Sequence, residues 1–445
     1  MSDQTIQTLP SRRAFLGATG LASVSAVVGS DQFRVFASPN KANLIRSCIL
    51  VFHYGGPSQM ETWDPKPEAP LQVRGLCSSI ETNVAGIRIS EYLPQMAGVM
   101  DRVTLVRSMH HPMRNHNSAA AELLTGKTPL RGDLELLGDD PLGPPCLGSS
   151  LSAVLGLPAD GLAHVALPYT MYNVVQLPGQ TAGFLGPRYE RFQIDGDPNR
   201  PDFQVNSLKL PNEVSSRRFA DRTILSRQLN RNPSDKSCVA AMEEHYEKAF
   251  ATLGSQRLQS AMEIGRETDS LRERYGRNLL GQSLLLARRL VEADVRMITV
   301  FDGQANCQTC NWDSHADNFS RHKETLVPPM DRGLSALIID LADRGLLDST
   351  LVISVGEFGR TPKINGNGGR DHWPDVFSAL LVGGGAPGGH VIGASDRIAA
   401  YPARDPVTPG DVAATLFSRF GIDPERELVD PTGRSHRLAD GRALF

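Results

Sequence analysis

The chain has 445 residues, with 46 Lys and Arg against 49 Asp and Glu and a formal net charge of −3 at pH 7. That balance argues against nucleic acid as the main partner, because neutralising phosphates needs a basic face. Hydrophobic residues at 40%, charged residues at 21%, and 41 Gly and 30 Pro without a period fit a loop-rich globular protein and exclude collagen-like chains.

In chain order, Ser11-Arg12-Arg13-Ala14-Phe15-Leu16-Gly17 resembles the twin-arginine export motif. The apolar stretch from Ala18 to Gly29 is rich in Gly, Ala and Ser and too short to span a bilayer. Val35-Phe36-Ala37 sets small residues around a cleavage point after Ala37. The expectation is a signal peptide over 1–37 and a mature chain over 38–445, exported through the twin-arginine translocase to the periplasm or beyond. No later segment reaches the ~18 apolar residues of a transmembrane helix, so no permanent span is expected.

The run Ile45 to Tyr54 is almost continuously apolar and ends at Gly55-Gly56-Pro57, which predicts a buried strand feeding a loop. Similar runs occur at Val103 to Arg107, His164 to Leu167, Val295 to Phe301, Leu351 to Val355 and Ala379 to Val382. Helical patterns lie between them at Ser118 to Thr125, Leu280 to Ala293 and Leu326 to Arg344. Alternating strands and helices predict an α/β fold, with ligands at the carboxyl ends of the strands. Residues 186–290 read as a polar and then helical insertion or cap. A closing helix is expected from Thr408 to Phe420, ending at Gly421. Of the six cysteines, Cys307 and Cys310 form a C-x-x-C pair without a second pair to complete a zinc site. A local disulfide is the expected reading.

Four polar clusters follow predicted strands. The first, Gly55 to Pro67, supplies Glu61 and Asp64 after a glycine turn. The second, Met109 to Ser118, holds His110, His111 and Arg114 and runs into a helix start at His116, Asn117 and Ser118, where unpaired N–H groups favour an anion or an activated nucleophile. The third contains Asp313 and His315, two apart on a loop and able to face one cation. The fourth runs from Glu357 and Arg360 to Asp371 and His372. Four such clusters at one sheet edge point to a di-metal site. Two metals can clamp the attacking and leaving oxygens of a phosphoryl or sulfuryl transfer, with Arg114 and Arg360 on the anion.

The combination of the leader, "GGPSQMETWDPKP", "RSMHHPMRNHNSAAAELLTG", "WDSHADNF" and "EFGRTPKINGNGGRDHWP" resembles an exported bacterial family known as domain of unknown function 1501. That family looks like a branch of the alkaline phosphatase and sulfatase superfamily. The resemblance implies an α/β/α sandwich with a mostly parallel sheet and a bimetallic site. It matches Asp313 and His315 to an Asp–His metal pair, Glu357 to a strand-end carboxylate and His372 to a late His ligand. His116 falls where sulfatases carry their nucleophile. The sequence also departs from the pattern: no C/S-x-P-x-R motif is present, Tyr54 stands where the first strand usually ends in Asp, and Phe358 replaces a His.

The expected function is an exported hydrolase of a phosphate or sulfate ester, acting on a small anionic ester or a sulfated or phosphorylated polymer. It would use two divalent ions (Zn, Mn, Ca or Mg), with Glu61, Asp64, Asp313, His315, Glu357, Asp371 and His372 as candidate ligands. His116 or Ser118 would act as nucleophile or leaving-group stabiliser, beside Arg114 and Arg360. The alternative is a degenerate binding or scaffolding protein of the cell envelope with the same fold.

Overall fold

A computed structural model describes residues 44–159, 162–205, 214–229, 252–303 and 311–445. The leader, Cys238, Cys307 and Cys310 lie outside the described residues. Strand β1 (Ser47–His53) has all seven residues buried, which explains its unbroken apolar run: both faces of this strand are covered. The other strands of its sheet are β2 (Val103–Met109), β3 (His164–Leu167), β4 (Phe192–Gln193), β5 (Met297–Asp302), β6 (Thr350–Gly356), β7 (Phe377–Val382) and β8 (His390–Ile392). Their order is β8-β2-β7-β6-β1-β5-β3-β4. Every neighbouring pair is parallel except the two that β7 makes, with β6 and β2.

The helices α1 (His116–Thr125), α2 (Leu147–Leu155), α3 (Leu279–Glu292), α4 (Val327–Asp343) and α5 (Pro409–Arg419) cover the two faces. Ile49 and Val51 of β1 share a core with α3 and α4, through Leu284, Leu290, Leu334 and Leu341. Cys48, Leu50 and Phe52 point the other way, into a core shared with α1, α2 and α5 through Leu123, Leu151 and Phe417. This strict alternation along β1 produces the three α/β/α layers. Each fully buried Leu contributes about 2 kcal/mol of apolar transfer. The start of α5 is dictated locally: Thr408 and Asp411 form a capping box around Pro409 at the first helical position. α1 stops where Gly126 takes φ 70°.

The stretch 186–290 differs at both ends from the expected cap. Phe192–Gln193 is the edge strand of the main sheet, and α3 is a core helix with Leu284, Leu285 and Leu286 fully buried. The polar residues around Phe192 mask a two-residue strand too short to leave a period-two signal. The edge strand β8 and helix α2 also lie beyond the sequence reading. No helix among the described residues is long and apolar enough to cross a membrane.

Candidate metal centre

The carboxyl ends of β1, β2, β5 and β6 and the amino end of the reversed β7 meet at one edge of the sheet. Each contributes to a cluster there. The turn after β1 is tight: Gly55 takes φ 106°, and a Cβ on it would overlap the Asp313 amide. Its N–H donates to Glu357 Oε1 at 2.7 Å, just beyond the end of β6. The segment after β2 leads to His116, the first residue of α1, whose Nδ1 lies 2.7 Å from the same Glu357 oxygen. Asp133 holds this helix start from outside, accepting the N–H groups of Arg114 and Asn115 at 3.0 Å each.

Three imidazoles converge on one oxygen. Asp313 Oδ1 lies 3.5 Å from His116 Nε2, 3.0 Å from His315 Nε2 and 3.3 Å from His372 Nε2. Each ring is oriented through its other nitrogen: His116 by Glu357, His315 by Asp371 at 2.8 Å, and His372 by the Arg114 carbonyl at 2.8 Å. With Nδ1 donating in each case, every Nε2 presents a lone pair inward, the arrangement that outer carboxylates and carbonyls impose on metal-binding histidines. His116 Nε2 and Glu357 Oε2 are buried with no hydrogen bond. His116, Asp313 and His372 can all offer one atom to a shared cation. These residues therefore fit a divalent metal.

The neighbouring carboxylates set the charge of these rings. Burial works against ionising Asp313, yet His116, His315, His372 and the Arg360 charge hold it well below the usual carboxylate range. Burial also disfavours a charged His116, but the carboxylates of Asp313 and Glu357 prevail and it is pushed up to about 9. The Asp313 carboxylate raises His315, while burial lowers His372. Burial first, and then the charges of Glu357 and Asp313, raise the Tyr54 hydroxyl and keep it neutral. Tyr54, Phe358 and His372 wall the His116 ring, with centroids 5.1, 4.9 and 4.3 Å away. The cluster opens to solvent on one side, where the His315 and Asp371 side chains are 46% and 54% exposed.

The two arginines differ. Arg360 is fully buried, donating to the Gly56 carbonyl at 3.0 Å, the Arg370 carbonyl at 3.1 Å, the Gly55 carbonyl and Asp313 Oδ1 at 2.6 Å. Arg114 is half exposed, paired with Asp375 at 2.7 Å and lying 5.6 Å over the Trp373 ring. Of the residues singled out from sequence, His116, Asp313, His315, Glu357, Asp371, His372, Arg114 and Arg360 come together.

Glu61, Asp64 and Ser118 are engaged elsewhere. Glu61 is clamped by Arg370 and Asn318, at 2.7 Å and 2.9 Å. Asp64 pairs with Lys66 at 2.9 Å and Arg107 at 3.4 Å and accepts from Ser395. The Ser118 hydroxyl bonds the Leu134 carbonyl at 2.9 Å and accepts the Leu134 N–H at 2.6 Å. The sequence marks Tyr54 and Phe358 only as departures from the family pattern and gives no role to Arg370; the run Gly369-Arg370-Asp371-His372 is the signal that could have drawn attention to the arginine.

Fold and site together define an α/β/α protein with a histidine-rich, carboxylate-centred cluster at the carboxyl edge of its sheet. The chain belongs to the family described as "Protein of unknown function (DUF1501)", whose model matches residues 45–444. No curated protein matches the sequence. Among solved structures, it is similar to Ps i-CgsB in complex with k-i-k-neocarrahexaose, at 12% identity over 89% of this chain and 75% of that one, with a TM-score of 0.42. It is also similar to the PsFucS1 sulfatase from Pseudoalteromonas sp., at 13% identity over 86% and 68% of the two chains and a TM-score of 0.38. For the phosphonate monoester hydrolase SpPMH from Silicibacter pomeroyi the values are 10% identity, 89% and 76% coverage and a TM-score of 0.38.

Proposed function

We propose that this protein is an exported, metal-dependent hydrolase of a phosphate or sulfate ester. One observation carries the reading: three imidazole nitrogens aim at a single carboxylate oxygen at the solvent-open edge of the sheet. A bound dication supplies Lewis-acid stabilisation of charge developing on a tetrahedral anion. His116, Asp313 and His372 would hold it, with His315 as the fourth ligand, while Glu357 and Asp371 fix the His116 and His315 rings through their Nδ1 protons. Arg114 is the guanidinium open to an incoming anion, at the cost of loosening its partly exposed pair with Asp375. Arg360 has its donors committed inside the protein and acts on the charge of Asp313 instead. Tyr54 and Phe358 exclude water from the inner side of His116.

Export rests on the Arg12-Arg13 leader and the small residues before Ser38. Amino-terminal sequencing of protein secreted from its host should begin at Ser38. The function is tested with aryl phosphate and aryl sulfate substrates on metal-loaded protein beside His116→Ala. Hydrolysis that requires metal and is lost in the variant supports the proposal. Full metal loading with no turnover on either ester class refutes it. That second outcome favours an anion-binding envelope protein, a reading suggested by the Ser118 hydroxyl, which is committed to Leu134 and so is no free nucleophile.

A further inference from the structure

We infer that the centre is built for one divalent transition-metal ion per chain, with the Arg360 guanidinium standing where a second cation would sit. The inference rests on the metal reading above and departs from the two-ion expectation. Three lines of geometry and charge converge on it.

The first is spacing. Bonds of about 2.0–2.1 Å set tetrahedral ligand atoms roughly 3.3 Å apart. The separations from Asp313 Oδ1 are 3.0, 3.3 and 3.5 Å to the three imidazoles. His315 Nε2 and His372 Nε2 are themselves 3.0 Å apart. These four spacings match edges of a coordination tetrahedron, His116, Asp313 and His372 can each offer one atom to a shared ion, and imidazoles with a carboxylate suit Zn²⁺ or Co²⁺ rather than Mg²⁺ or Ca²⁺.

The second is charge. Asp313, Glu357 and Asp371 bring three carboxylates to the cluster, against the guanidiniums of Arg360 and of Arg321, which donates to the Asp313 carbonyl. One dication already offsets the remaining deficit; a second would add to a net positive charge around a buried His116. The third is the supply of donors. Among the buried oxygens of this group, a second ion would find only Glu357 Oε2 without a hydrogen bond. Tyr54 occupies the end of β1, and Glu61 and Asp64 are bound to cations of the protein itself. The Gly55 and Gly56 carbonyls already accept from Arg360.

The test is elemental analysis of the full mature chain, stripped with chelator and dialysed against Zn²⁺ in the presence of excess Mg²⁺. About one zinc and no magnesium per chain is expected. Two ions per chain overturn this inference and leave the hydrolase proposal standing, whereas no bound ion overturns both. Substitution with Co²⁺ should give the intense visible bands of four-coordinate cobalt; the weak bands of six-coordinate cobalt overturn the tetrahedral assignment.

His315→Ala, at a half-exposed position that tolerates truncation, should lose the metal while keeping native circular dichroism. Retention of one tightly held ion overturns its role as a ligand. Arg360→Lys should keep one equivalent, and two equivalents in that variant overturn the charge argument. A natively folded Arg360→Met should take up more cation, as a tighter first equivalent or a second one. Weaker binding in that variant overturns the role given to the guanidinium.

Discussion

Glu61→Gln should be among the most damaging single substitutions in the molecule, although it changes one oxygen to an amide nitrogen and lies outside the cluster. Glu61 and Arg370 are both fully buried and paired in a bidentate fork, at 2.7 and 3.0 Å. Arg370 also donates to the carbonyls of Val73, Thr361 and Pro362, so its position is fixed whether or not the carboxylate is present. Glutamine keeps one acceptor, loses one charge-assisted hydrogen bond and leaves a guanidinium uncompensated in the interior. Breaking a buried pair from one side costs about 3–5 kcal/mol, a large share of a typical total of about 5–15 kcal/mol.

The assay is guanidinium-chloride unfolding of Glu61→Gln, Arg370→Met and the Glu61→Met/Arg370→Met double variant. The double variant should recover most of the loss, because removing both charges leaves none stranded. A single-variant loss below about 1 kcal/mol, or a double variant no better than either single, refutes the reasoning. The pH dependence has a fixed sign. Burial opposes ionisation of Glu61, but Arg370 and His322 outweigh it and hold the carboxyl below its ordinary 4.5. Its contribution is complete above that value and is lost as pH falls through the lower folded value, a limb that Glu61→Gln should lack.

Glu122 should show the opposite slope: burial pushes its carboxyl up to about 7, against a hydrogen bond from Thr128. The folded protein holds this proton more tightly than the unfolded chain. Stability should fall by up to about 3 kcal/mol as pH rises from 4.5 to 7, and Glu122→Gln should flatten that window in thermal melts; parallel profiles refute it. Leu284→Ala, at a fully buried position between α3 and α4, should cost about 2–5 kcal/mol by denaturant unfolding. Asp133→Ala frees the Arg114 and Asn115 N–H groups and should cost about 1 kcal/mol. It should also weaken zinc binding measured by competition, because His116 is the next residue. Glu357→Ala removes the acceptor that orients His116 and should weaken zinc binding about 10–100-fold in the same competition assay.

The layered architecture could be read from residues because each central strand is buried on both faces and its apolar run ends in a turn. Ile45 to Tyr54 gave such a run, and the alternation of Ile49 and Val51 against Leu50 and Phe52 then distributes it between two cores. The reversal of β7 was not readable: Phe377 to Val382 is as apolar as its parallel neighbours, and direction leaves no mark on composition. At the site, the histidines and carboxylates stood out because they follow strands at a common edge.

Which carboxylates were free to ligate was not visible. Glu61 and Asp64 look as suitable as Asp313 until Arg370, Lys66 and Arg107 are seen to claim them. Lys66 is only two residues from Asp64, but the pairing of Glu61 with Arg370 joins residues 309 positions apart, and no local spacing announces it. The same holds for Arg360, whose motif suggested an anion ligand while its surroundings are the carbonyls of a distant turn.

The reversed strand β7 has a consequence for how this protein can change. Because β6 and β7 run in opposite directions, residues 357–376 begin and end at the same edge of the sheet without crossing to the far side. Glu357 is tied at one end by Gly55 and His116, and His372 at the other by Arg114 and a two-residue ribbon to Arg360. The middle, around Asn365 to Gly368, is free of the hydrophobic cores. Residues can thus be added or removed there without altering the register of any sheet strand, but Asn365 donates to the His315 carbonyl and to Asp371, so each such change remodels the solvent side of the cluster while the three-layer scaffold stays as it is.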